Sequence, residues 1–288
     1  MTDYLVKAMA FNDQVRAYAV NSTLTVGEAS RRHRTVAATS DAMGRSMTIG
    51  VMLGAMLKGE EQIMVKIDGG GPIGKILVDA NARGGVRGFV THPKPSITKT
   101  LIGDHAVKEV VGTNGLLTVT KDIGLKQPHI GYVPIESGDI VEDFNAYITN
   151  SEQALSTVSV GVQVNNDDTI LAAGGFIVQL MPSAPRHLIA EINAKMATLP
   201  TMTTMVGRGL SPEELLQEIL SDGDVRILDK MAIQFECQCS RERMENAIKS
   251  LGSAEIADMI ATDGQASGNC HFCNEDYHFT KEQLQELL

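Results

Sequence analysis

Tryptophan is absent from this chain of 288 residues, and aromatic side chains account for only 4% of it. Acidic side chains outnumber basic ones by 35 to 25, which gives a net charge of −10. Proteins that bind nucleic acid use cationic side chains to neutralise phosphates and aromatic rings to stack on bases. The composition therefore argues against a nucleic-acid partner.

Long hydrophobic runs are also missing. The two most apolar stretches, 47–57 and 170–181, are shorter than the roughly 20 residues that a membrane span needs. The first seven residues lack the basic region followed by an apolar stretch that marks a secretory signal. We therefore expect a cytoplasmic protein with no membrane partner. In that compartment clustered thiols more often bind metal or sense oxidant than form structural disulfides.

The four cysteines of the chain form two close pairs, Cys237 with Cys239 and Cys270 with Cys273. Thirty residues, 240–269, separate the pairs. Structural zinc sites are commonly built from two such pairs, which supply four thiolates in a tetrahedral arrangement. We predict that these cysteines bind one zinc ion per chain.

Two other interpretations of the cysteines remain open. They are small apolar residues that can simply be buried in a core, although all four fall within residues 237–273. Alternatively, His271 or His278 replaces one cysteine as a ligand. Four thiolates already complete a closed structural site, which favours the all-cysteine set.

The spacing within each pair also allows a second chemical state. Cysteines at i and i+2 in an extended chain approach the Cα separation of about 4.4 to 6.8 Å that a disulfide requires. Cys-x-x-Cys is the spacing of dithiol redox motifs. The site can therefore hold zinc on four thiolates, or form two local disulfides without zinc. Structural zinc contributes about 10 to 16 kcal/mol to stability. Segments shorter than roughly 40 residues usually need a metal or a disulfide to stay folded. We therefore expect the segment 237–273 to unfold when the metal is lost.

The hydrophobic pattern predicts an α+β fold in three parts. Residues 1–181 alternate strands in hairpins and meanders with intervening helices, which is typical of an α+β core. Residues 182–231 contain two amphipathic helices and are interpreted as a linker that packs on the core in the resting state. Residues 232–288 form the small zinc module.

Local turn and cap signals place individual elements. The pair Asn12-Asp13 predicts a hairpin within residues 4–20, and the apolar run 41–58 predicts a buried helix that ends at Gly59. The predicted helix caps are the capping boxes Thr25–Glu28 and Ser211–Glu214 and the single residues Ser240 and Ser253.

The glycine-rich segment 69–74 matches Gly-x-Gly-x-x-Gly and nearly matches a phosphate-binding loop. However, Ile76 occupies the position of the magnesium-binding Ser or Thr, and the residues after it are typical of a strand. Both motifs require the loop to open a helix. We therefore interpret this segment as a turn within a three-stranded meander.

The whole chain resembles the redox-regulated holdase chaperones of bacteria, the family of the thirty-three-kilodalton heat shock protein. The two cysteine pairs at this separation are the most specific part of the resemblance. The matching segments are 69–74 (GGGPIG), 111–115 (VGTNG), 173–176 (AGGF), 237–240 (CQCS) and 268–273 (GNCHFC).

This resemblance implies a chaperone that is inactive while reduced and zinc-bound. Peroxide with mild unfolding stress, or hypochlorous acid, would join Cys270 to Cys273 and Cys237 to Cys239, expel zinc and loosen the module and the linker. The product would be an ATP-independent holdase, active as a homodimer through residues 1–181. Its clients would be unfolding proteins that are later passed to ATP-driven chaperones.

Two rival functions remain open. A thiol-disulfide oxidoreductase would use Cys270 and Cys273 catalytically, but the βαβ context of such motifs is missing. A zinc-ribbon nucleic-acid adaptor is opposed by the charge of residues 232–288, which carry ten acidic and four basic side chains. We therefore expect a protein that is not an enzyme.

Overall fold

The computed structural model describes residues 2–96, 103–151 and 155–288. The chain forms two compact units, Met1–Phe235 and Glu236–Leu288. Both units combine helices with strands, and the predicted α+β class is confirmed. The first unit includes the segment 182–231 together with the predicted core. In the described part of the chain, no helix has both the length and the apolar character needed to cross a membrane.

The elements of the first unit alternate along the chain. Its helices are α1 (Thr23–His33), α2 (Ala37–Gly54), α3 (Asp104–Val111), α4 (Ile140–Ser151), α5 (His187–Met196), α6 (Met202–Gly207) and α7 (Pro212–Ile219). Its strands are β1 (Tyr4–Ala10), β2 (Val15–Asn21), β3 (Gln62–Asp68), β4 (Lys75–Asn81), β5 (Gly85–Val90), β6 (Leu116–Asp122), β7 (His129–Pro134), β8 (Ser156–Val164), β9 (Ile170–Leu180), β10 (Arg226–Ala232) and β11 (Gln234–Phe235).

A five-stranded antiparallel sheet has the order β10-β1-β2-β9-β8. The turn between β1 and β2 holds Phe11, Asn12 and Asp13 at positive φ, a conformation that Asn and Asp tolerate. The predicted hairpin is therefore confirmed. The edge strand β10 was not predicted, because its three charged residues obscure the alternation that marks a strand.

A six-stranded sheet has the order β11-β5-β4-β3-β6-β7, and α2 packs against strands of both sheets. Every residue of α2 from Thr39 to Gly54 is buried. Glycines allow this close approach, since a Cβ on Gly50 would lie only 2.7 Å from a Val78 methyl group. The predicted buried helix is confirmed, although it runs over Ala37–Gly54 and not over 41–58.

The predicted capping box at the start of α1 is wrong. The helix begins two residues earlier, at Thr23. The Thr25 backbone N–H donates to the carboxylate of Asp3 at 2.7 Å, so a residue distant in sequence satisfies the helix N-terminus. Glu28 instead accepts hydrogen bonds from Arg31 and Arg32.

The segment 182–231 contains α5, α6 and α7 and ends in β10. The apolar faces of the three helices pack with β1, β2 and β9 in a hydrophobic cluster of their own, in which Leu216 is fully buried. The capping box at the start of α7 is confirmed, with Ser211 and Glu214 each bonding the other's backbone. In this state the apolar stripes of these helices are covered by the sheet.

The glycine-rich segment 69–74 is the turn between β3 and β4, and a strand comes directly after it. Two of its backbone donors are engaged by the end of α3: the N–H of Gly71 bonds Val111 O at 3.0 Å and that of Ile73 bonds Val110 O at 3.1 Å. A Cβ on Gly71 would lie 2.3 Å from Val110 O. The glycines therefore serve close packing against the end of α3, and these N–H groups are not available to a phosphate.

The second unit is a small assembly of α8 (Arg241–Lys249), α9 (Ser253–Thr262), the hairpin of β12 (Gln265–Asn269) and β13 (Asp276–Thr280), and α10 (Lys281–Gln285). Ser240 caps α8 as predicted, by accepting from the Arg243 N–H. The predicted Ser253 cap is wrong, because Gly252 is the N-cap of α9 and makes no side-chain bond. The hydrophobic core of this unit has three fully buried members, Ile256, Phe279 and Leu284.

Candidate metal centre

The hairpin and the segment before α8 position the four cysteines. Cys237 and Cys239 lie in the extended stretch between β11 and α8, while Cys270 and Cys273 lie in the turn that joins β12 to β13. That turn is held by two backbone bonds, Cys270 N–H to Glu275 O at 2.9 Å and Asn274 N–H to Cys270 O at 2.7 Å. The structure thus brings together all four predicted site residues.

The sulfur positions suit a tetrahedral ion. All four Sγ atoms lie within 4.8 Å of one another. The Sγ atoms of Cys237 and Cys270 are 3.7 Å apart, and those of Cys239 and Cys273 are 3.2 Å apart. Four sulfurs at about 2.3 Å from a zinc ion would be separated by about 3.8 Å. The arrangement therefore fits a metal ion bound by four thiolates, and none of the four cysteines forms a disulfide in this structure.

Backbone N–H groups within and just after two short clips, residues 237–239 and 270–273, point at the sulfurs. The Cys237 sulfur accepts from the Cys239 backbone, the Cys270 sulfur accepts from Phe272 and Cys273, and the Cys273 sulfur accepts from Glu275. Hydrogen bonds of this kind favour the thiolate over the neutral thiol. The clips are therefore organised for anionic sulfur, which is the form that binds metal.

The four sulfurs influence one another's protonation. Burial alone would raise the pKa of Cys237, but hydrogen bonds from the Cys239 backbone and from the neighbouring thiols lower it to about 7. The pKa of Cys270 and of Cys273 is raised, chiefly by burial. One cysteine therefore deprotonates readily. Each further thiolate adds negative charge within the same small space, so a bound cation is needed to balance it. The donor set thus fits a soft divalent ion such as zinc.

Tyr277 is a site residue that the sequence analysis missed. Its hydroxyl donates to the Cys239 sulfur at 3.2 Å. The hydrogen bond to Cys239, and burial after it, raise the pKa of Tyr277. Alternation along β13 was the available signal, because Tyr277 and Phe279 both contact the small core while His278 between them is exposed.

The two histidines considered as alternative ligands are not part of the cluster. Among the described residues, the group of metal-ligating atoms at this place consists of the four cysteine sulfurs. His271 and His278 are both exposed. The geometry therefore favours the all-cysteine set.

Arg241 joins three elements of the second unit, and the sequence analysis did not single it out. Its guanidinium lies over the Phe279 ring at 4.5 Å. It also donates to the backbone carbonyl of His278 at 3.1 Å and to Gln283 Oε1 at 2.8 Å. Arg241 thereby holds α8, β13 and α10 together at one edge of the core.

Comparison with known proteins decides the family. The family model described as Hsp33 protein matches residues 3–280. The chain belongs to the Hsp33 family. The resemblance inferred from the glycine and cysteine motifs is thereby confirmed.

The similar Hsp33 proteins cover the whole chain. A 33 kDa chaperonin of Geobacillus sp. (strain WCH70) is 54% identical over 287 residues, covering 100% of this chain and 97% of the relative. One from Bacillus mycoides (strain KBAB4) is 50% identical over 288 residues, covering 100% and 99%. The crystal structure of the 33 kDa chaperonin (heat shock protein 33 homolog) from Thermotoga maritima superposes with a TM-score of 0.90 at 30% identity, covering 100% of this chain and 98% of that one. This Hsp33 chain is therefore a member of a chaperone family with a cysteine cluster that can hold a metal ion.

Proposed function

We propose that this Hsp33 chain is a redox-regulated, ATP-independent holdase chaperone of the cytoplasm. The observation that carries the proposal is the meeting of four cysteine sulfurs within 4.8 Å in a unit that has only three fully buried apolar side chains. A unit so thinly packed depends on its metal site for stability, because structural zinc contributes about 10 to 16 kcal/mol. Its fold is then conditional on the oxidation state of the cysteines.

In the reduced state, Cys237, Cys239, Cys270 and Cys273 would hold one zinc ion as thiolates. Zinc would supply the cross-link that joins the hairpin turn to the segment before α8. Backbone N–H groups and the Tyr277 hydroxyl orient the sulfurs for this role. Residues 232–288 would act as the redox-switch module, residues 182–231 as the linker, and residues 1–181 as the client-binding and dimerisation core.

In the oxidised state, each cysteine pair would give two electrons to one molecule of oxidant. Two thiolates of Cys270 and Cys273 become one disulfide, while hydrogen peroxide takes the two electrons and two protons and leaves as two waters. Cys237 and Cys239 react likewise with a second peroxide. Hypochlorous acid would accept the same two electrons with one proton and leave as chloride and water. Because no thiolate ligand remains, the chain would release zinc.

The choice of disulfide partners decides whether the module unfolds after oxidation. Two short sulfur–sulfur distances each join a cysteine of one clip to a cysteine of the other, namely Cys237 to Cys270 and Cys239 to Cys273. Cross-clip disulfides would keep the hairpin tied to the segment before α8 and would preserve the fold. Pairs within each clip, as the family resemblance implies, would leave the two clips unconnected and let the module unfold.

Loosening of the module and the linker would uncover the apolar faces of α5, α6 and α7 and the sheet surface that they cover. Unfolding proteins would bind this surface as clients, the active form would be a homodimer, and clients would pass later to ATP-driven chaperones. No residue is assigned a catalytic role, since the cysteines change state once per activation and do not turn over a substrate.

The test combines metal release, disulfide mapping and client protection on one sample. Peroxide with mild heat is expected to release one zinc per chain, to form Cys237–Cys239 and Cys270–Cys273 disulfides, and to suppress aggregation of a thermally unfolding client. Thiol reductant is expected to reverse these effects. Full client protection with zinc retained, or cross-clip disulfides in the active form, would contradict the mechanism.

A double variant separates the cysteines from general destabilisation. Replacing Cys270 and Cys273 by serine should weaken zinc binding and abolish the graded response to oxidant. The matched control is Ser267→Ala, which alters an exposed residue of the same hairpin and should respond to oxidant like the parent chain. An unchanged response of the double variant would show that Cys270 and Cys273 take no part in the redox response.

A further inference from the structure

The edge strand β10 and the strand that it covers differ in chemistry. In β10 five of the seven residues are exposed, and Arg226, Asp229 and Lys230 are charged. In β1 no residue is exposed, and Lys7 is the one charged residue of the strand. Natural sheets protect an exposed edge with charged side chains and irregularities, because a bare apolar edge pairs with other chains. This protection lies on β10, and β1 has little of its own.

The pairing of β10 with β1 is also less regular than that of β1 with β2. Strands β1 and β2 pair without interruption from Tyr4–Asn21 to Ala10–Val15. The β10 pairing has a bulge after Lys7, where Leu228 is left without a partner and is 52% exposed. A bulge removes ladder bonds locally. The covering strand is therefore the more easily detached neighbour of β1.

The charged side chains that hold β10 against its neighbours in the first unit are mostly at the surface. Lys7 and Asp229 approach to 4.0 Å, Arg226 and Asp13 to 2.5 Å, and Lys230 pairs with Glu213 of α7. Exposed ion pairs contribute little to stability and weaken with salt. Release of β10 thus depends mainly on its backbone pairs, on the packing of Ile227 and Met231 against the two hydrophobic clusters, and on the elements that flank it in sequence.

We propose that the edge of β1 beneath β10 is a client-docking edge, which takes up an extended segment of an unfolding protein as an added strand. The inference rests on the proposed function, in which the linker and the module loosen on oxidation. β10 then leaves and exposes the unpaired backbone groups of β1. In the resting chain β10 occupies this edge as an internal substitute for the client.

The chemistry of the edge defines its partner. Strand addition is driven by main-chain hydrogen bonds, which every extended segment can make regardless of sequence. The flanking side chains of β1 are apolar on both faces, with Val6 and Ala8 in one hydrophobic cluster and Leu5 in the other. The favoured client segment is therefore extended, apolar, free of proline and low in charge. Unfolding proteins expose many such segments.

Hydrogen exchange on the native chain tests the proposal directly. After oxidation the β1 amides that bond β10 are expected to exchange at least tenfold faster than in the reduced chain, and to become protected again when an unfolding client is added, whereas those that bond β2 stay protected. The central strands β3 and β4 should not change and serve as the internal control. Retained β1 protection in a chain that actively holds client would overturn the inference.

A proline pair detaches β10 without oxidant. Asp229→Pro with Lys230→Pro removes two adjacent backbone N–H groups, so at least one ladder bond is lost whichever residue faces β1. The matched control, Asp229→Ala with Lys230→Ala, removes the same side chains and keeps both N–H groups. We expect the reduced, metal-loaded proline variant to suppress client aggregation at least twofold more than the alanine variant. Equal suppression by two folded variants would count against docking on this edge.

Failure of this inference is distinguishable from failure of the proposed function. If oxidised native chain releases no zinc and holds no client, the switch itself is refuted. If it holds client while β1 stays protected, only the docking edge is refuted. If β1 is protected again without client, and more so at higher protein concentration, the occupant is a second copy of the chain and the client assignment is wrong.

Discussion

Removal of the metal under reducing conditions should unfold the second unit and leave the buried helix α2 of the first unit protected. The perturbation is a zinc chelator in the presence of thiol reductant, so that no disulfide can form. The three fully buried apolar side chains, Ile256, Phe279 and Leu284, each contribute about 1.5 to 3 kcal/mol. Together they supply about 5 to 9 kcal/mol, which is less than the roughly 10 to 16 kcal/mol of a structural zinc site. A zinc ion bound at this site would therefore be the largest single contribution to this fold.

Hydrogen exchange measured peptide by peptide is the suitable assay, because the chain has no tryptophan for fluorescence. Peptides covering α9 and β13 should lose protection as the metal is withdrawn and regain it when zinc is restored. Peptides from α2, in which every residue from Thr39 to Gly54 is buried, should keep their protection. Persistent protection of α9 and β13 after verified loss of metal would refute the reasoning that the ion holds the unit together.

Three substitutions give further tests. Tyr277→Phe removes the hydroxyl that bonds the Cys239 sulfur and should lower zinc affinity about tenfold. Competition with a chromogenic chelator measures this affinity, and an unchanged value would contradict a role of Tyr277 at the metal. Arg241→Ala removes the contacts with Phe279 and the neighbouring elements and should destabilise the second unit by about 1 to 2 kcal/mol. The measurement is the temperature at which a protease begins to cut this unit, which should be lowest for Arg241→Ala and intermediate for Arg241→Lys. Equal resistance of the parent chain and both variants would argue against a stabilising role of Arg241. Leu216→Ala opens a cavity in the hydrophobic cluster between the linker helices and the sheet. It should lower the free energy of unfolding of the first unit by about 2 to 5 kcal/mol, measured by thermal unfolding. An unchanged stability would indicate that this face of α7 is exposed to solvent.

The sequence was sufficient for the features that depend on local or repeated signals. Paired cysteines at a separation of thirty residues predicted the cluster that the structure contains. The Asn12-Asp13 turn and the Ser211 capping box were predicted because turn and cap geometry depends on neighbouring residues.

The missed features depend on residues that are distant in sequence. The first turn of α1 is capped by Asp3, which displaces the predicted Thr25–Glu28 box. β10 is a strand because β1 offers it a pairing edge, although its own pattern is weak. Tyr277 reaches Cys239 only once the hairpin has closed. Long-range pairing of this kind leaves no local periodicity to detect.

The turn between β3 and β4 limits where this protein can be modified. Loop tips are normally the safest places to insert an epitope or a fluorophore, and the glycines of residues 69–74 suggest a pliable loop. Their backbone is instead wedged against the end of α3, where even a methyl group on Gly71 would collide with Val110 O. A label placed there would separate α3 from the six-stranded sheet, whereas Asn12, which is exposed at the tip of the β1–β2 turn, is the better site for a probe.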